Sequence, residues 1–274
     1  MILYNSVEDG ITTIADLHYL PAVHVTPAQG LVIKAYIASA GSSASAQLSG
    51  GAASPTQGKV MAGFFSRGPN GGSSDVIKPD VTAPGVNILA AYSPTPVAGA
   101  KGQLFTPMSG TSMSSPHVAG IGAMLRYLHP DWTPSMIKSA LMTTATQDVF
   151  KEDGTTPADA FDAGAGHVAP SSAADPGLVF PAGFYDYLAF LCGASNAVGA
   201  GTCNALKSMG CSLDPSDLNL ASIAIGDLPG EQTVTRKLIG SCMTTTFVVG
   251  GTWIIAHLPR RRASRAGRSP ARSA

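Results

Sequence analysis

Charge is scarce in this sequence. Asp, Glu, Lys and Arg make up 12% of the 274 residues and aromatic side chains 7%, against a 45% hydrophobic share with 31 glycines and 20 prolines. That balance excludes a disordered chain and describes a loop-rich globular protein, large enough for one big domain or two small ones. Cys-x-x-Cys pairs are absent. Cys192, Cys203, Cys211 and Cys242 stand at no metal-ligand spacing and have no histidine cluster beside them, so no metal site and no cofactor are expected. Three of the cysteines fall within twenty residues; one disulfide among them is expected in an exported protein, with the pair left open. Met1–Asn5 has neither a basic n-region nor a long apolar run, so no signal peptide opens the chain. An acidic cluster with calcium-loop spacing is also lacking.

Net charge is zero, but unevenly spread. Residues 1–258 carry 11 Lys+Arg against 17 Asp+Glu, a balance of −6; residues 259–274 carry six arginines and no acid. The basic tail has no interleaved aromatics and no nucleic-acid motif ahead of it, so a nucleic-acid partner is not expected.

Against these absences stands Met108-Ser109-Gly110-Thr111-Ser112-Met113-Ser114-Ser115-Pro116-His117-Val118-Ala119-Gly120. A helix is expected from Ser112 to about Leu128, because Val118, Ile121, Leu125 and Leu128 recur at spacings of 3, 4 and 3. Pro116 falls near the end of its first turn, where a missing N–H costs least. A serine at a helix entrance is most often an N-cap. The same place also suits a nucleophile: unpaired N–H groups and the positive end of the helix dipole favour an oxyanion. Lipases and esterases use G-x-S-x-G; Gly110–Ser114 lacks the second glycine, which sets that class aside.

Other elements follow from pattern. Met1–Tyr4, Ala22–Val25, Ala44–Leu48, Met61–Phe65 and Val86–Ala91 read as strands, and Leu31–Ser39 as a short helix ending near Gly41. Thr133 and Pro134 announce another helix as N-cap and N1, with Met136, Ile137, Ala140 and Leu141 as its buried face. Tyr185–Leu191 reads as a helical segment, and Leu218–Ile225 and Gln232–Lys237 as strands.

The Gly110–Gly120 string resembles the nucleophile motif of the subtilisin-like serine peptidases (subtilases). Phe65–Asn70, Ile77–Val86, Phe161–Val168 and Asp175–Val179 resemble further landmarks of the plant-type and related bacterial branch of that family. The resemblance covers about residues 1–237. It implies an α/β fold: the C-terminal part of a subtilisin-like parallel-sheet domain at 54–190, preceded by a partial protease-associated domain at 1–53. A linker and the start of a fibronectin type III-like β-sandwich follow at 191–237, then a divergent tail at 238–274. It further implies a secreted serine endopeptidase acting on peptides or proteins by acyl-enzyme chemistry, with Ser112 as nucleophile and its backbone N–H as one oxyanion donor.

In a Ser-His-Asp hydrolase of this family the chain order is Asp, His, Ser, so both partners of Ser112 precede it. The family's D-[ST]-G and H-G-T-H motifs do not occur in this sequence, and the chain is expected to lack its true beginning. His18 and His24 lie in the part resembling the protease-associated domain. His117 lies five residues after Ser112, about 140° around the helix at about 100° per residue, and is not the base. His167 matches a structural landmark; His129 and His257 match nothing catalytic. The isolated chain is therefore expected to be inactive. The alternative reading is a catalytically inactive relic or an interaction module.

Leu238–Leu258 contains no Asp, Glu, Lys or Arg. It reads either as a C-terminal membrane anchor with a positive flank or as an out-of-register continuation. Its serine, four threonines and three glycines favour the second, so a membrane partner is not expected. Oligomeric state is left open.

Overall fold

A computed structural model describes residues 1–15, 18, 20–53, 55–97, 101–228, 230–240 and, as backbone, 246–252. The elements in chain order are β1 (Ile2–Tyr4), β2 (Val23–Val25), α1 (Pro27–Ala40), β3 (Ile88–Ala91), β4 (Phe105–Met108), α2 (Thr111–Leu128), α3 (Pro134–Thr143), α4 (Ala160–Ala163), α5 (Pro170–Ala173), β5 (Leu178–Val179), α6 (Phe184–Ala194), α7 (Ala200–Ser208), β6 (Thr233–Gly240) and β7 (Thr246–Thr252). They fall into two compact units. One comprises Met1–Arg67, Val81–Ile121 and Thr146–Val168; the other Gly68–Asp80, Gly122–Ala145 and the chain from Ala169 onward.

In the first unit β1 and β2 pair in parallel, with Leu3 opposite His24. Helix α1 starts four residues before the expected Leu31. Its start signal is Thr26-Pro27-Ala28-Gln29, a capping box in which Thr26 and Gln29 bond each other's backbone and Pro27 fills N1. Gly30 is buried in α1 because the helix lies on Tyr4: a Cβ there would fall 2.2 Å from the Tyr4 ring. The β3–β4 hairpin is antiparallel, Ile88 facing Met108, and leads straight into α2.

Two strands expected in this unit do not form. Residues 44–48 have no ladder partner. Met61 donates to the Phe150 carbonyl at 2.9 Å, but the chain then turns, Phe65 N–H reaching the Ala62 carbonyl at 3.0 Å. Gly63 permits that turn to lie on the backbone of Asp9, where a Cβ would sit 2.7 Å from Asp9 Cα. Met61, Val149 and Ala163 form a small core with Phe65 and Ala158 against it. Beside it the fully buried Asp162 accepts the N–H of Asp159, the N-cap of α4, and faces Arg67 Nη2 and Lys151 Nζ, each at 2.9 Å.

In the second unit Thr133 and Pro134 cap α3 as expected. The face that α3 buries deepest comprises Ser135, Ser139, Ala140, Leu141 and Met142, so the burial is displaced from Met136 and Ile137. The two serines, one helical turn apart, accept the backbone N–H groups of Ala182 and Phe180, each at 2.9 Å. This fixes the chain around β5 against α3. Strands β5, β6 and β7 form one antiparallel sheet.

Leu218–Ile225, expected as a strand, is held to β6 by side chains instead of a backbone ladder. Asn219 spans the Lys237 N–H (2.8 Å) and carbonyl (2.9 Å), and buried Arg236 donates to the carbonyls of Leu220 (3.0 Å) and Ser222 (3.2 Å). Helices α6 and α7 are joined by the disulfide Cys192–Cys203, Cα atoms 5.8 Å apart; Cys211 is free, and Cys242 lies outside the described residues.

Among the described residues, β1–β2 is the sole parallel pair of strands. The described part of the Leu238–Leu258 segment is the end of β6 and β7, that is, strand where an anchor needs helix; residues 241–245 and 253–274 lie outside the described residues. No helix among the described residues is long and apolar enough to cross a membrane.

Candidate active site

Ser112 is the second residue of α2, and its side chain is exposed. It is therefore not the N-cap but a member of the first helical turn. Its N–H is one of the four that a helix start leaves without an intrahelical acceptor. Pro116, four residues on, has no N–H to give, so the Ser112 carbonyl also lacks its helical bond. The hydroxyl thus stands beside a backbone donor with no intrahelical acceptor, at the positive end of an 18-residue helix.

The turn that carries it is fastened on its inner side, within the first unit. Gly110 N–H donates to the Gly85 carbonyl at 2.8 Å, and Met113 N–H to the Gly110 carbonyl at 3.0 Å. The half-buried Ser114 donates its hydroxyl to the Ala83 carbonyl at 3.0 Å. Asn87 N–H donates to Ser109 Oγ at 2.9 Å. Asn87 itself sits in the left-handed region at φ 52°, a conformation asparagine tolerates. Its side chain holds the loop ahead of β2, donating to the Thr13 carbonyl (3.0 Å) and accepting from Ala15 N–H (2.8 Å).

The histidines have other work. His117 Nδ1–H donates to the Met113 carbonyl at 2.7 Å, back along its own helix. His24 Nδ1–H donates to the Ile14 carbonyl at 3.1 Å. In the second unit His129 stacks on Trp132 at 3.8 Å and donates through Nε2 to the Ala174 carbonyl at 2.7 Å. His167 is half-buried, and its backbone exchanges two 2.8 Å bonds with Thr146. Burial, and then the nearby Lys59 charge, push its imidazole below the ordinary value, while Asp148 pulls the other way. His18 is exposed; His257 lies outside the described residues. Among the described residues, no histidine is hydrogen-bonded to Ser112.

Residues 28–179, more than half of the chain, match the family profile described as the Subtilase family. The chain belongs to the subtilase family. Among the relatives of this subtilase chain, the subtilisin-like protease SBT1.3 of Arabidopsis thaliana is 44% identical over 70% of the chain and 26% of its own length. SBT1.7 of the same plant is 39% identical over 87% of the chain and 34% of its own length. The Glycine max subtilisin-like protease Glyma18g48580 is 42% identical over 69% and 26%. The chain thus spans about a quarter to a third of the curated relatives it matches.

Two clefts in the first unit of the subtilase chain measure about 350 and 250 Å³. Tyr4, Asn5, Asp9 and His24 are among those lining the first; His18, His24 and Asn87 are among those lining the second. Ser112 lines neither. Among the described residues no three His, Cys, Asp or Glu side chains gather to hold a metal ion. The sequence pattern singled out Ser112 but missed Ser114, Asn87 and Ser109, the residues that fasten its turn. Gly85, within the Ala83-Pro84-Gly85 motif, was the one available signal: an invitation to look for backbone in close approach.

Proposed function

We propose that this chain carries the nucleophile of a secreted serine endopeptidase and works by acyl-enzyme chemistry when joined to upstream residues that supply the base. One observation carries the reading: Ser112 is exposed on the first turn of α2, where a helix start leaves its N–H without an intrahelical acceptor. In this mechanism Ser112 Oγ attacks a peptide carbonyl, a base from the upstream half takes the hydroxyl proton, and the Ser112 N–H donates to the developing oxyanion. The histidine, aspartate and a second oxyanion donor belong to that half; none of the described histidines here is bonded to Ser112. The residues at 1–53 then belong to a protease-associated insertion, 54–190 to the catalytic domain and 191–237 to a linker and sandwich domain. The Cys192–Cys203 disulfide supports an oxidising, extracellular setting.

Without a base the hydroxyl keeps its high intrinsic pKa. Loss of the histidine in subtilisin, the handiest measured parallel, lowers turnover on the order of 10⁶-fold. A fluorophosphonate probe tests the reading. The chain alone is expected to stay unlabelled. Expressed behind the upstream half of SBT1.7, it is expected to label rapidly, and Ser112→Ala to abolish the label. No labelling of the completed protein would favour the inactive-module alternative, and labelling that survives Ser112→Ala would remove Ser112 as the nucleophile.

A further inference from the structure

The first turn of α2 is packed against Ala83–Asn87 so closely that one position admits no side chain. A Cβ on Gly85 would lie 2.2 Å from Ser114 Oγ and 3.0 Å from the Gly110 carbonyl oxygen. Gly85 is therefore the floor of the nucleophile turn, and Ser114 is the side chain standing on it. Its hydroxyl crosses that floor to the Ala83 carbonyl at 3.0 Å, while Gly110 N–H meets the Gly85 carbonyl at 2.8 Å. Ser112 and Ser114 are two residues apart, about 200° around a helix, so one faces outward when the other faces in. The inward bond of Ser114 consequently fixes the rotation of the turn about its axis, and with it the direction of the Ser112 side chain.

We propose that Ser114, seated on Gly85 and bonded to Ala83, is a positioning residue for Ser112. The inference rests on the reading of Ser112 as nucleophile, but it concerns geometry, and its test needs neither a base nor the upstream half. The other bonds at the turn, from Gly110 and from Asn87 to Ser109, tie down the chain before the helix begins. The Ser114 hydroxyl is the bond that ties down the helical turn itself, through a side chain. Without it the Ala83 carbonyl is left to find another donor and the turn is free to roll.

The experiment uses the full chain with Ser112→Cys in a Cys211→Ser, Cys242→Ser background. A thiol held at a helix N-terminus has its pKa lowered from about 8.5, and the pH profile of its alkylation by iodoacetamide reports whether it stays there. In the parent the profile is expected to lie below the ordinary thiol range. Ser114→Ala is expected to move it back toward that range, lowering the alkylation rate at pH 7 about fivefold with helix content unchanged by circular dichroism. Ser114→Thr, which keeps the hydroxyl, is expected to retain the parent profile. Should Ser114→Ala unfold the chain, Gly85→Ala serves instead: it keeps the hydroxyl but lifts the turn off its floor, and is expected to move the profile the same way.

A folded Ser114→Ala or Gly85→Ala protein with the parent profile overturns the proposal. So does a parent thiol that titrates in the ordinary range, since no orientation is then being held. The reading of Ser112 as nucleophile fails separately, in the fluorophosphonate experiment.

Discussion

His167 illustrates how a single residue in this chain can be placed for structure and still titrate. Its ring is half-buried with Thr82 Oγ1 3.4 Å from Nδ1, and burial, with the nearby Lys59, holds its pKa below 6.5 against the pull of Asp148. The sign follows from linkage. A depressed folded-state value means that the unfolded chain takes up the proton first, so stability is fully present above pH 6.5 and falls as pH drops toward the lowered folded value. The thermal midpoint of the chain is expected to fall between pH 7.5 and pH 5, and His167→Gln to fall less over the same interval. Equal losses in the two proteins would remove His167 as the cause. The aspartates act in a lower window. Burial raises Asp80, but hydrogen bonds from Lys138 and Lys78 outweigh it; Thr156 and Thr155 lower Asp153 to about 2. Their contribution is lost only below the usual carboxylate value of 3.8. Residue-scale chemistry of this kind was half legible in sequence. The motif singles out Ser112, which lies exposed on the first turn of α2, and helix arithmetic sets His117 on another side, where its ring bonds the Met113 carbonyl. Ser114 and Asn87 gave no sign, because their partners, Ala83 and Thr13, are 31 and 74 residues away.

Elements were legible where a local rule dictates them. Thr133-Pro134 started α3 as read, and the Thr26–Gln29 capping box, present in the sequence, starts α1 earlier than its apolar run suggests. Strand prediction failed where side chains replace the ladder, as Asn219 and Arg236 do along β6. A short apolar run cannot declare whether its neighbours will be backbone or side chain. Serines on α3 make the same point. Ser135 and Ser139 are buried, and each accepts a backbone N–H from the segment around β5. Ser139→Ala keeps the helix and strands the Phe180 N–H without an acceptor. An unpaired donor costs about 1–3 kcal/mol when fully buried, and the partly buried Phe180 N–H belongs toward the lower end of that range. Denaturant unfolding of Ser139→Ala is expected to show a loss in that range, with faster amide exchange at Phe180. A variant as stable and as protected as the parent would mean that water takes the serine's place.

At the scale of the whole molecule the decisive feature is apolar surface. Helix α1 carries apolar residues around its circumference, and Leu31, Val32, Tyr36 and Ile37 are all exposed, Val32 at 71%. A helix of that composition is ordinarily buried. The β3–β4 hairpin turns Leu89 and Phe105 outward at 70% and 63%, and on the far half of α2 Met124 and Tyr127 are exposed as well. The apolar stripe read along α2 is buried only in part: Leu125 is enclosed, whereas Leu128 is 53% exposed. Scattered exposed leucines are ordinary, but clusters on adjoining turns of one helix are not. The relatives are three to four times as long as the part they share with this chain, and their excess length gives such surfaces candidate covers. Studied alone at neutral pH, where its formal net charge is zero, the chain has little electrostatic repulsion to keep copies apart. Sedimentation is therefore expected to show concentration-dependent self-association in the micromolar range, with binding of a hydrophobic dye. Val32→Lys combined with Ile37→Glu breaks the α1 face and introduces no net charge, so its effect reads apolar contact alone; it is expected to shift the distribution toward monomer. If the double variant associates as the parent does, α1 is not the surface through which copies meet.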